Sequence, residues 1–181
     1  MDIKSILGNV MQNKMSQVIA DKTGLSTAQV NSAIAVGLPM ILAGMAKNAS
    51  ASDGAESLNK ALDQHVDSGV TDDPAHLAAA EVESDGSKIL SHVFGPNSGD
   101  IMDAIASKIG TDKQSIQRLM IILAPIAMAY LGRQKKQDNL DADGVSDTLN
   151  KTKTPEGGSL TDLIGNVLDM VKESTGSQKS M

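Results

Sequence analysis

Apolar residues recur along this chain at intervals of three and four, the spacing that lines one face of a helix. Ile3, Ile6, Leu7, Val10 and Met11 form one stripe, and Leu160, Leu163, Ile164, Val167, Leu168 and Val171 form another. No run alternates apolar and polar residues with the β-branched and aromatic content of a strand. The pattern predicts an all-α fold. Two stretches are apolar on every side: Ala33 to Ala46, and "LMIILAPIAMAYLG" from Leu119 to Gly132. As a helix the second stretch spans about 21 Å, short of the ~30 Å hydrocarbon core of a bilayer. Arg118 and Arg133 flank it, and Pro39 and Pro125 interrupt the two runs. The spacing therefore predicts two buried helices packed on each other at the centre of one domain, not membrane spans.

These two stretches belong to a longer internal repeat. "IADKTGLSTAQVNSAIAVGLPMILAG" starts at Ile19 and "IASKIGTDKQSIQRLMIILAPIAMAY" at Ile105, a gapless offset of 86 that sets Ala20 on Ala106, Gly24 on Gly110 and Pro39 on Pro125. Upstream of each sits a second shared element, "ILGNVM" at Ile6 and "ILSHVF" at Ile89; downstream, "SDGAESLNK" at Ser52 answers "ADGVSDTLNK" at Ala142. A third copy of the upstream element, "LIGNVL", begins at Leu163. The predicted organisation is a helical domain over residues 1–150 with repeats at about 6–60 and 89–151. A flexible linker over 151–159 ("KTKTPEGGS"), an amphipathic helix over 160–174 and a disordered tail over 175–181 follow.

Within each repeat, Ala20, Gly24 and Val30, matched by Ala106, Gly110 and Ile116, have the spacing of a helix-turn-helix, where Ala lets helices approach and Gly makes the turn. The second candidate recognition helix offers Lys113, Gln114, Gln117 and Arg118, with Arg133, Lys135 and Lys136 further on. Sixteen basic against twenty-two acidic residues give a net charge of −6, which repels nucleic acid and anionic lipid away from such a local patch. DNA binding is therefore the alternative reading and peripheral membrane association a second alternative.

Absence of cysteine removes thiolate catalysis and Cys-ligated zinc. There is no GxSxG, no HExxH, no P-loop and no GxGxxG, so neither catalytic residues nor a cofactor are expected. "DQHVDSGVTDDPAH" holds His65 and His76 among Asp63, Asp67, Asp72 and Asp73, and Asn139, Asp141, Asp143 and Gly144 imitate the start of a calcium loop. Asn150 stands where that loop needs a bidentate Glu, so helix capping is the better use of these residues. His92 falls on Asn9 and Asn166 of the repeated element, which suits packing or capping. The Asp-Gly pairs at Asp53, Asp85 and Asp143 read as helix starts, with Glu56 in capping-box position after Asp53. The N-terminus lacks a basic region, apolar core and cleavage site, which predicts a cytoplasmic protein.

"TGLSTAQVNSAIAVGLPMILAGMAKNAS", "SDGAESLNKALDQH", "DGSKILSHVFG" and "LMIILAPIAMAYLGRQKK", in that order, resemble the bacterial YidB-like proteins, a domain of unknown function, over about Met1 to Lys151. The resemblance implies an all-helical fold with a homeodomain-like motif and no activity or site residues. What remains particular to this chain is its end. Because "LIGNVL" repeats "ILGNVM", the terminal helix is expected to dock as the first helix does, on its own domain or on a neighbour's. Leu160, Leu163, Ile164, Val167, Leu168 and Val171 are the candidate self-association surface, and a homo-oligomer, filament or other protein the expected partner.

Overall fold

The computed structural model describes residues 3–11, 13–51, 53–65, 75–76, 80–154 and 157–179. They form α1 (Ile3–Val10), α2 (Asn13–Thr23), α3 (Thr27–Ala49), α4 (Gly54–His65), α5 (Ala80–Phe94), α6 (Ser98–Ile109), α7 (Lys113–Asp138), α8 (Ala142–Lys151) and α9 (Leu160–Lys179). A 3-10 turn, Gly95–Asn97, joins α5 to α6. Among the described residues there is no strand, and the fold is all-α as the apolar spacing predicts.

The two central helices start where their sequences supply a cap. Ser26 caps α3: its hydroxyl accepts from the Gln29 amide, and the Gln29 side chain accepts from the Ser26 N–H. That reciprocal pair satisfies two donors that a helix start leaves open. Asp112 caps α7, accepting from the Ser115 amide at 2.8 Å. Ahead of each cap the chain turns at a glycine of positive φ, Gly24 at 75° and Gly110 at 81°, a conformation that a Cβ disfavours.

α3 and α7 pack on each other and are buried by the remaining helices. Their contact is close at Gly37, where a Cβ would lie 2.6 Å from Met120 Sδ and 3.4 Å from Leu123 Cδ1. The shell is interleaved. α4 follows α3 in sequence but lies against α7 and α8 as well, while α8 follows α7 and lies against α3 and α4. α2 and α6 each touch both central helices. One continuous core runs from Ile3 to Ile164, so neither half closes its own apolar surface.

Several expectations need correction. The length argument against a membrane span holds for the apolar run and fails for the helix carrying it. α3 and α7 have 23 and 26 residues and mean hydropathies of 1.4 and 1.5, enough to cross a bilayer. In this fold 67% and 72% of those windows are buried by the protein itself. Asp85 starts no helix but lies inside α5, because Gly86 is needed where that helix meets α7. α8 is capped by Asp141, whose Oδ1 accepts from the Gly144 amide, and Asp143 sits in its first turn. α9 runs to Lys179 rather than stopping at residue 174; residues 180–181 lie outside the described residues.

Candidate functional site

The terminal helix is positioned by the stretch read from sequence as a flexible linker. Thr152 is buried, its hydroxyl bonded to the Thr148 carbonyl at 2.6 Å. Lys153 then pairs with Ser159 as antiparallel neighbours, and the Thr154 amide donates to the Gly158 carbonyl at 2.8 Å. Gly157 closes the turn at φ 93°, a value that excludes most side chains. Ser159 caps α9, its hydroxyl accepting from the Asp162 amide at 3.0 Å. In this structure the described residues on the two sides of 155–156 pair as a hydrogen-bonded return.

On leaving that turn α9 lies along α3 and α6 and touches α8. Leu160 and Ile164 are buried, and Leu163, Val167 and Leu168 are half-buried against the same core. The Val171 side chain lies outside the described residues. Burying Leu160 and Ile164 contributes roughly 1.5 to 3 kcal/mol for each. The candidate surface is thus seated on its own chain. α1 also packs on α3, with Ile3, Ile6, Leu7 and Val10 buried, while α5 packs on α7 and α3 through Leu90 and Phe94. Leu7, Leu90 and Ile164, the second residues of the similar stretches "ILGNVM", "ILSHVF" and "LIGNVL", are all buried.

The residues of the nucleic-acid reading do not converge. Lys113, Gln114, Gln117 and Arg118 are exposed on the first turns of α7, but Lys113 is engaged by Asp103 of α6 at 3.0 Å. Arg133 stands fifteen positions beyond Arg118, about 22 Å further along the axis. Lys135, only 14% exposed, is paired with Asp63 of α4.

Residues of the metal reading are likewise spread. Asp67, Asp72 and Asp73 lie outside the described residues, His76 is exposed, and Asp63 is held by Lys135. Among the described residues no group of three His, Asp or Glu side chains is placed to hold a metal ion. Asn139, in left-handed conformation, ends α7, and Asp141 starts α8, so the calcium-like spacing is taken up by two caps.

Sequence reasoning missed a second feature, a cleft of about 770 Å³ between α4 and α5. Met45 of α3 and Met128 of α7 form its floor, Leu58 and Ile89 its walls, and His65 and Asp85 face each other across it. Its end is fixed by Asn48, whose side-chain amide donates to the carbonyls of His92 at 2.8 Å and Val93 at 3.3 Å. Those carbonyls belong to the last turn of α5, where no helical donor remains. No sequence signal brings His65 and Asp85 together, since they sit on separate helices joined by a long connection.

The chain is an all-helical protein built round two apolar helices. A family model described as "Bacterial protein of unknown function (DUF937)" matches residues 5–134, and the chain belongs to that family, with which the YidB-like resemblance agrees. The match closes within the last turns of α7, so α8 and α9 lie beyond it. No curated protein and no solved structure matches the chain.

Proposed function

We propose that this protein is a non-catalytic helical scaffold that assembles with copies of itself by exchanging α9. One observation carries the reading: α9 repeats the apolar element of α1, both helices dock on α3, and α9 hangs on a short turn beyond the family-matched span. A helix that docks through a short return can dock in the same seat of a second copy, a head-to-tail contact that closes into rings or extends into filaments. The repeat supports the reading from another side. Ser26 and Asp112, and Gly24 and Gly110, stand at the sequence offset of 86 and perform the same local tasks. We infer a duplicated helix-turn-helix-like unit whose upstream helix is interchangeable by descent. Use of both apolar helices as packing surfaces supports a cytoplasmic rather than a membrane-embedded protein. DNA binding is the weaker reading, because its basic side chains are dispersed and partly engaged.

Deleting Gly157 and Gly158 tests the exchange. The shortened return no longer lets α9 reach its own seat, so light scattering of the shortened full chain should show masses that grow with concentration. Adding Ile164→Asp should abolish that growth. A shortened chain that stays monomeric at every concentration overturns the proposal.

A further inference from the structure

The cleft between α4 and α5 carries a separate inference. His65 is fixed by its own helix: Nδ1 lies 2.8 Å from the Ala61 carbonyl oxygen. A carbonyl only accepts, so Nδ1 bears a hydrogen, and in the neutral form of the ring Nε2 presents its lone pair. Nε2 is 4.0 Å from Asp85 Oδ2, and the imidazole is only 16% exposed. Two acceptors therefore face each other across a gap too wide for a direct hydrogen bond. A donor nitrogen 2.8 to 3.0 Å from both would make an angle of about 90° between them, close to the directions of two N–H bonds of an ammonium group. A hydroxyl, with one hydrogen, satisfies only one of the pair.

The rest of the cleft suits the body of such a molecule. The half-buried Leu58 and Ile89 offer apolar surface, and Met45 and Met128, buried in the core behind it, line the cleft with adaptable side chains. Its volume lies in the range of roughly 300 to 1,000 Å³ typical of small-molecule sites. Two carboxylates, Asp53 and Asp85, face one ammonium, Lys88, so the charge of the lining favours a cation. From this geometry we propose that the α4–α5 cleft binds an amphiphilic primary amine, with its ammonium group between His65 Nε2 and Asp85 Oδ2 and its alkyl chain on the methionine floor.

n-Octylamine and octanoate are the probes, titrated below their micellar concentrations into the full chain labelled at the methionine methyl groups. Octylamine should shift the Met45 and Met128 methyl resonances saturably, and octanoate should leave them in place. Asp85→Asn, at a position 51% exposed and free of core packing, should weaken octylamine binding at least tenfold while circular dichroism stays unchanged. Equal binding of octanoate, undiminished binding to Asp85→Asn, or unmoved methionine methyl groups would each overturn the assignment.

Discussion

α3 and α7 occupy the same central role by opposite means. α3 makes room: Gly37 admits Met120 and Leu123 of α7, and Gly44 admits Val93 and Phe94 of α5. α7 has no glycine between Ile116 and Leu131 and fills the space with Leu123 and Tyr130 at the positions answering Gly37 and Gly44. Where a neighbour must come close to α7, the neighbour carries the glycine, as Gly86 of α5 does against the Ile121 carbonyl. Two apolar helices cannot both be bulky where they cross, nor both small without leaving a void. The difference in side-chain size at these few positions makes them complementary.

The largest effect should come from Gly86→Ala. A Cβ there would lie 1.9 Å from Ile121 O and 2.7 Å from Ile121 C, and backbone cannot rotate away. The α5–α7 contact must open, at a cost of about 3 kcal/mol or more in urea unfolding. A loss under about 1 kcal/mol would mean that α5 has slack against α7 and that the complementarity ends at the α3 crossing. Gly44→Ala should cost less, about 1 to 2 kcal/mol, because its closest obstacle, Val93 Cγ1 at 2.2 Å, is a half-buried side chain rather than backbone. In a Val93→Ala background most of that cost should vanish. Additive losses from the two substitutions would place the strain on Phe94 or on the Val93 carbonyl, both 3.2 Å away.

These contrasts also mark what the sequence could disclose. The stripes of α1 and α9 are legible because a 3.6-residue period survives translation into helical faces, and the burial of the Pro-containing runs because they are apolar on every side. The true extent of α7 is not. Its first turn, capped by Asp112, is read as helix from the sequence, but its last turns, Arg133–Asp138, are polar and continue to the left-handed Asn139 beyond the apolar run. Asp85-Gly86 misleads because Asp-Gly serves equally as a helix start and as a thin place on a packed helix, and only the partner backbone at Ile121 decides. The α9 stripe could be named in advance, but its seat depends on bonds such as Thr154 to Gly158 that turn the chain back. The His65–Asp85 gap depends on where two separate helices come to rest, which no local pattern encodes.

The smallest predicted effect separates the two central helices by charge. α3 is capped by a neutral hydroxyl with Gln29, and α7 by a carboxylate whose oxygens accept from the Ser115 amide and hydroxyl, each at 2.8 Å. Those bonds, the backbone one foremost, hold the Asp112 carboxyl below the ordinary aspartate range. A lowered value in the folded state means that the unfolded chain takes up its proton first as pH falls. The charged cap therefore contributes above the unfolded value of about 3.9 and is lost as pH falls through the folded one. Asparagine is an equally good neutral cap, so Asp112→Asn removes the charge and its attraction to the helix dipole while keeping an acceptor. Urea midpoints of the two proteins should differ by a constant amount from neutral pH down to about 4 and converge below it. Ser26→Ala, which removes no charge, should cost about 1 kcal/mol at every one of those pH values. If the Asp112→Asn difference is equally flat into acid, the two caps act alike and the contrast between the helices is one of side-chain size alone.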